Sequence, residues 1–186
     1  MRVAYGFNHN IESSMMYLLA DAFAENGFKT IIPDLLNGGP VPPSGLAYAP
    51  DFDLGKWFTN HSQEQTRPPL DKVINALKEQ GVTTFGATGY CFSTARYVFD
   101  LTFENTNKAS VVAHSSLLKV PDDLEFSIDS QAKADEIFGN GKFTPGYKRN
   151  LYERCTHGFA VRGDMTGPKI KAGKEGAFKE TVEWFI

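Results

Sequence analysis

Residues 84–93 read TFGATGYCFS, and this stretch decides the fold. Its first residues favour a strand, and a helical pattern begins directly after it, over residues 94–103. Between the two lies the pentapeptide GYCFS. A tight turn from a strand into a helix holds a nucleophile above the sheet, and small neighbours accommodate its strained backbone. The stretch therefore predicts a nucleophile elbow that presents Cys91.

The predicted elbow also gives Cys91 a favourable environment. The helix after it points its positive N-terminal end at the thiol, which favours the thiolate. The backbone N–H of Phe92 then lies where it can donate to a developing oxyanion. The alternative is a buried, inert cysteine, which is the usual state of a lone cysteine. The strand–turn–helix context favours the nucleophile.

The rest of the chain alternates between strand-like and helix-like segments. Helical spacing predicts helices at 12–26, 70–80, 129–138 with Asp129 as its N-cap, and about 171–185. Strands are predicted at 28–33, 82–87, 109–113 and 147–153, the first of them wholly apolar and covered on both faces. Residues 37–55 are predicted to form an ordered surface loop, with a domain linker as the alternative. The alternation predicts an α/β fold with a mainly parallel sheet and helices on both faces.

Size, charge and cysteine content limit the class of protein. The length of 186 residues suits one domain over 1–186, and the net charge of -3 gives no reason to expect a nucleic-acid or membrane partner. Cys91 and Cys155 are too few for a disulfide framework. We see no apolar stretch as long as a membrane span, and the first twenty residues lack the layout of a signal peptide. These features predict a cytoplasmic location.

A thiol nucleophile needs a base, and the chain has four histidines. His157 lies in a polar turn after the last predicted strand, where α/β-hydrolases carry their catalytic histidine, last in chain order. His114 ends the predicted strand at 109–113 and could face the site, although a structural role is favoured. His9 and His61 are predicted to be solvated loop residues. His157 is therefore the candidate base.

Several segments resemble the dienelactone hydrolase family, especially its fungal members: GATGYCFS at 86–93, AHSSLL at 113–118, CTHGFAVRGD at 155–164, PDLLNG at 33–38 and KEGAFKETVEWF at 174–185. The resemblance implies an α/β-hydrolase-like three-layer sandwich that hydrolyses small carboxylic esters or lactones with a Cys-His-Asp triad. It implies no metal or organic cofactor. Cys91 then resembles the nucleophile and His157 the base. Arg162 resembles the arginine for a substrate carboxylate, with a merely solvent-exposed arginine as the alternative. The substrate itself, and whether the chain is a monomer or a homodimer, stay open.

The chain also departs from the family's pattern. No strand with the triad aspartate fits between AHSSLL and the helix at 129–138, so fewer strands than usual are expected. Glu125 and Asp129 lie nearest to that gap, but a solvated loop carboxylate and a helix cap are the favoured interpretations of these two. Val3 stands where the family has an acid, and Ser93 and Thr94 replace glycines.

These departures leave alternatives to the ester or lactone hydrolase. One is a catalytically impaired or truncated family member that acts as a non-enzymatic scaffold. Another is a redox or glyoxalase-type protein with a reactive cysteine on an elbow. That type normally pairs its cysteine with an early acid, and Val3 provides none, so it ranks below the other two.

Overall fold

The computed structural model describes residues 2–7, 14–41, 52–92, 94–116 and 128–186. Strands and helices alternate along these ranges. The strands are β1 (Arg2–Phe7), β2 (Lys29–Ile31), β3 (Thr84–Phe92) and β4 (Ala109–Ser116). The helices are α1 (Ser14–Glu25), α2 (Leu54–Thr59), α3 (Gln63–Glu79), α4 (Thr94–Phe103), α5 (Ile128–Phe138), α6 (Phe159–Arg162) and α7 (Pro168–Phe185).

The described strands form one parallel sheet in the order β2-β1-β3-β4. Each crossover between parallel strands carries at least one helix, as parallel connections require. Since all these strands run in one direction, their carboxyl ends meet at a single edge of the sheet. Cys91 lies at that edge, near the end of β3. The predicted α/β class with a parallel sheet is confirmed.

Alternating residues of β3 lie on opposite faces of the sheet, and each face packs against its own layer of helices. Phe85 and Ala87 pack in the core cluster that α3 and α4 cover. On the other face, a Cβ on Gly86 would lie 3.3 Å from the Phe185 ring, so the glycine allows α7 to approach closely. That face also carries the aromatic cluster of Phe23, Phe28, Phe178 and Phe185. The three-layer arrangement follows, with helices on both faces.

Helices α3, α5 and α7 all begin before their predicted first residues. Helix α3 begins at Gln63 rather than at residue 70, and it contains Pro68 and Pro69. The prediction stopped short because proline removes a backbone donor and usually breaks a helix. Here Ser62 caps the N-terminus by accepting a hydrogen bond from the Glu64 backbone N–H, and the inward face is buried. Helix α5 begins at Ile128, so Asp129 falls in its first turn rather than at the N-cap.

The predicted strand at 28–33 is shorter and less protected than expected. Only Lys29–Ile31 pairs with the sheet, and this strand lies at the edge of the described sheet with β1 on one side. Lys29 is exposed, and Thr30 and Ile31 are half-buried. The prediction of a strand covered on both faces was therefore wrong. Strand β1, which was not predicted from the sequence, lies between β2 and β3 and is therefore more central than β2.

Residues 147–153 form no strand, contrary to the prediction. The Tyr147 hydroxyl donates to Asp135 of α5 at 3.0 Å, and the Arg149 guanidinium pairs with the same carboxylate at 3.0 Å. Leu151 is 69% exposed. Tyr147 and Arg149 therefore bind α5 through their side chains, and the segment adds no strand to the described sheet. The turn that carries His157 thus follows an irregular segment, and β4 is the last described strand.

Residues 42–51 of the predicted loop, Glu125 and His9 lie outside the described residues. Among the described helices, none is both long enough and apolar enough to cross a bilayer.

Candidate active site

Cys91 lies at the junction between β3 and α4. Strand β3 continues through Phe92, and α4 begins at Thr94, so a single residue separates strand from helix. The sequence predicted this order of elements, although it ended the strand earlier. Phe92 is the last strand residue. The described backbone thus follows the order, strand and then helix, that a nucleophile elbow requires.

A β-bulge in β4 lies directly opposite Cys91. Tyr90 pairs with Ala113, whereas Phe92 pairs with Ser116, so β4 carries one extra residue over this interval. His114 adopts a left-handed backbone with φ of 40°. Histidine is among the non-glycine residues enriched in that conformation. Two residues of β4 therefore face the single residue Cys91, as in bulges that redirect side chains beside active sites.

The bulge places the His114 ring in an aromatic cluster. Its centre lies 5.1 Å from that of His157, 5.7 Å from that of Phe159 and 6.0 Å from that of Tyr90. Both ring nitrogens are buried, and neither has a hydrogen-bond partner in the described part of the chain. Burial first, and then the nearby charge of His157, lowers the pKa of His114 to about 4. The ring is therefore neutral at physiological pH.

His157 lies in the turn before α6, with its ring approximately perpendicular to that of His114 at 66°. Gly158 follows in the left-handed conformation with φ of 91°, and Phe159 donates its backbone N–H to Thr156 at 3.1 Å. His157 is an exposed residue, but desolvation of its ring by neighbouring groups, and then the charge of Arg162, lower its pKa. A lowered pKa keeps the imidazole neutral at physiological pH, which is the form that can accept a proton.

Arg162 is exposed and ends α6, one turn after His157. Its backbone N–H donates to the Gly158 carbonyl at 2.7 Å. Its guanidinium passes over Gly158, where a Cβ would lie 3.4 Å from the Nε and Nη2 atoms. The absence of a side chain at residue 158 therefore allows the cation to lie close to His157. The structure therefore places two of the predicted site residues, His157 and Arg162, close to each other.

Comparison with known proteins identifies the family. The family model described as "Dienelactone hydrolase family" matches residues 3–186. This chain belongs to the dienelactone hydrolase family. Its relatives include Hydrolase pyvD of Aspergillus violaceofuscus, 30% identical over 90% of this chain and 73% of the relative. Hydrolase tropI of Talaromyces stipitatus is 30% identical over the same shares, and Dienlactone hydrolase 2 of Gibberella moniliformis is 28% identical over 91% and 70%.

Membership has two consequences. It gives the chain the α/β-hydrolase fold, with which the parallel sheet and its two helix layers agree. It also makes the chain a hydrolase by class, as the names of its relatives indicate. The sequence resemblance to the family, and to its fungal members in particular, is confirmed.

Val3 and His61, which the sequence also drew attention to, do not belong to the cluster of His114, His157 and Phe159. The backbone of Val3 pairs with Lys29 and Phe85 within the sheet. His61 is half-buried and stacks on Trp57 with ring centres 4.1 Å apart, and its Nδ1 lies 2.8 Å from the Trp57 carbonyl. His61 lies between α2 and α3, as predicted for a loop residue, but it is only partly solvated because the Trp57 ring covers one face.

Cys155 packs against the N-terminal half of α7. Its half-buried thiol lies 3.7 Å from the Lys169 carbonyl oxygen. A Cβ on Gly173 would lie 2.4 Å from its Sγ atom, closer than atoms in contact can approach. Cys155 and Gly173 therefore fit together as a small pair, and this cysteine provides a matched control for Cys91.

We expect Gly173→Ala to destabilise the fold by up to about 2 kcal/mol, because the added methyl group overpacks the contact with Cys155 at a cost of about 1–3 kcal/mol. The gain of about 1 kcal/mol from replacing a glycine inside a helix offsets part of that cost. Chemical denaturation of Gly173→Ala, Cys155→Ala and the double variant measures the coupling. In the Cys155→Ala background the same change is expected to be neutral or stabilising. A cost that is equal in both backgrounds would contradict the contact.

A small cavity of about 30 Å³ lies between Phe28, Thr84, Lys108 and Phe185, at the amino ends of β3 and β4. It has room for roughly one water molecule and lies at the edge opposite Cys91. No three acidic, histidine or cysteine side chains within the described ranges are grouped as metal ligands.

Proposed function

We propose that this family member, as a single domain over 1–186, hydrolyses small carboxylic esters or lactones with Cys91 as nucleophile and His157 as base. One observation carries the proposal. The bulge at His114 lies opposite Cys91 in the sheet, and the same His114 ring packs against His157. Cys91 and His157 are thus both neighbours of His114, which supports their pairing. A neutral imidazole can accept the proton of a thiol, and the resulting thiolate can attack an acyl carbon.

The proposed reaction has two halves. His157 accepts the proton of the Cys91 thiol, and the thiolate adds to the carbonyl carbon of the ester. The backbone N–H of Phe92 donates to the resulting oxyanion. Collapse expels the alkoxide, which takes the proton from His157 and leaves a thioester on Cys91. His157 then removes a proton from water, and the hydroxide adds to the thioester carbon. Collapse breaks the C–S bond and releases the carboxylic acid and the Cys91 thiolate, which takes the proton back from His157.

Arg162 is the proposed binding group for a carboxylate on the substrate. Its exposed guanidinium lies beside His157, where a bound anion would be next to the reacting ester. A guanidinium can donate two parallel hydrogen bonds to a carboxylate, which adds both energy and orientation. The proposed substrate is therefore a small ester or lactone that carries a carboxylate, and the proposed location is the cytoplasm, where the thiol stays reduced.

Replacing Arg162 with methionine is expected to raise KM for a carboxylate-bearing ester by about 10- to 100-fold, the value of a charge-assisted hydrogen bond. KM for p-nitrophenyl acetate, which has no carboxylate, should stay almost the same. Steady-state kinetics on the two substrates measures the difference. Equal losses on both would show that Arg162 contributes to the fold or to His157 rather than to carboxylate binding.

Thiol labelling tests the assignment of the nucleophile. Because Cys91 is placed at a helix N-terminus and Cys155 packs against α7, iodoacetamide should label Cys91 faster. Mass spectrometry of peptides over a time course separates the two sites. Equal labelling rates for Cys91 and Cys155 would count strongly against a catalytic thiolate.

The competing function is a catalytically impaired member that acts as a non-enzymatic scaffold. It is favoured by Val3 in β1, since an apolar residue stands where the family resemblance leads us to expect an acid. Turnover separates the two functions. A purified chain that unfolds cooperatively but leaves activated esters intact would support the scaffold and overturn the hydrolase.

A further inference from the structure

We propose that His114 is a positioning residue for His157, which holds the base beside the elbow and shields its ring from water. The inference rests on the proposed function, and it adds a residue that the Cys-His mechanism does not itself use. His114 acts through the shape of its neutral ring, without exchanging protons with the substrate.

The backbone of β4 is what places this ring. The extra residue opposite Cys91 and the left-handed φ of 40° together turn His114 out of the regular alternation of the strand. The His114 ring then contacts Tyr90 on β3 and, on the segment that carries the proposed base, His157 and Phe159. These contacts form a continuous line of rings from the elbow strand to the start of α6. Movement of His114 would therefore move the base relative to Cys91.

The charges around His114 favour its neutral form. His157 and Arg162 both disfavour a proton on it, and burial has a larger effect than either. On the other side, Tyr90 is neutral as well, since burial raises its pKa to about 12. A neutral ring against His157 excludes water from one side of the base without adding a charge. This agrees with desolvation of its ring as the largest cause of the lowered pKa of His157.

The test compares His114→Asn, which removes the ring but tolerates a left-handed backbone, with His114→Phe, which keeps a ring without nitrogens. The pKa of His157 is read by NMR titration of histidine-labelled protein, with the signal assigned from His157→Asn. We expect the pKa to rise toward 6.5 in His114→Asn, because water reaches the imidazole. In His114→Phe it should stay at the wild-type value. His61→Asn is the matched control and should leave it unchanged.

A kinetic measurement on p-nitrophenyl acetate accompanies the titration. We expect kcat/KM to fall by about 10- to 100-fold in His114→Asn, since a small displacement of a catalytic group has a cost of this order. In His114→Phe the loss should be several-fold smaller. An unchanged His157 pKa in His114→Asn would overturn the proposal, as would His114→Phe behaving like His114→Asn. Failure of the proposed function is recognised separately, by wild-type protein without Cys91-dependent turnover, and the titration still decides the role of His114 in that case.

Discussion

Cys91→Ala is expected to abolish hydrolysis of p-nitrophenyl acetate, with kcat lowered by at least about 10⁴-fold, as when the nucleophile of a catalytic triad is removed. The physical reason is that covalent catalysis divides one difficult acyl transfer into two easier steps, and alanine cannot form the thioester. The fold should be unaffected, because the substitution only shortens a side chain at the end of a strand. Initial rates and a thermal melt of the same sample check both expectations.

Cys155→Ala is the matched control for this experiment. Its thiol packs against Gly173 on α7, far along the chain from the elbow, so the change should alter stability alone. Activity in Cys155→Ala should remain close to the wild-type value. If Cys91→Ala kept its activity while Cys155→Ala lost it, the nucleophile would have been assigned to the wrong cysteine.

His157→Asn should lower kcat/KM by about 10²- to 10⁴-fold, the range in which a general acid–base group contributes. Asparagine can form hydrogen bonds but cannot take up the thiol proton or return it to the leaving alkoxide. The wild-type profile should lose activity only as the pH falls below the ordinary histidine pKa of about 6.5. The sign follows from desolvation of the ring and Arg162, which lower the pKa of His157, so that the imidazole stays neutral to lower pH.

His61→Asn is the appropriate comparison for His157→Asn. His61 stacks on Trp57 and donates a hydrogen bond from its Nδ1 to the Trp57 carbonyl, apart from the proposed site. Its replacement should leave the pH profile of kcat/KM unchanged. A wild-type acid limb that persists in His157→Asn would show that another group supplies the base.

The sequence determined the features that depend on neighbours along the chain. The strand, the turn and the helix around Cys91 follow one another within 84–103, so local propensity and spacing suffice to place them, and helix α4 has the predicted bounds. The parallel sheet also follows from alternation alone, because parallel strands require crossover helices. His157 was selected by its order in the chain.

Only the tertiary structure decided how His114 relates to this elbow. A bulge depends on the register between two strands, and no local pattern in ASVVAHSS indicates where the extra residue falls. For the same reason the segment 147–153 was assigned to a strand, although its polar side chains bind a carboxylate on α5 instead. The bulge opposite Cys91 and the contact between the His114 and His157 rings both depend on pairing and packing between segments that lie far apart along the chain.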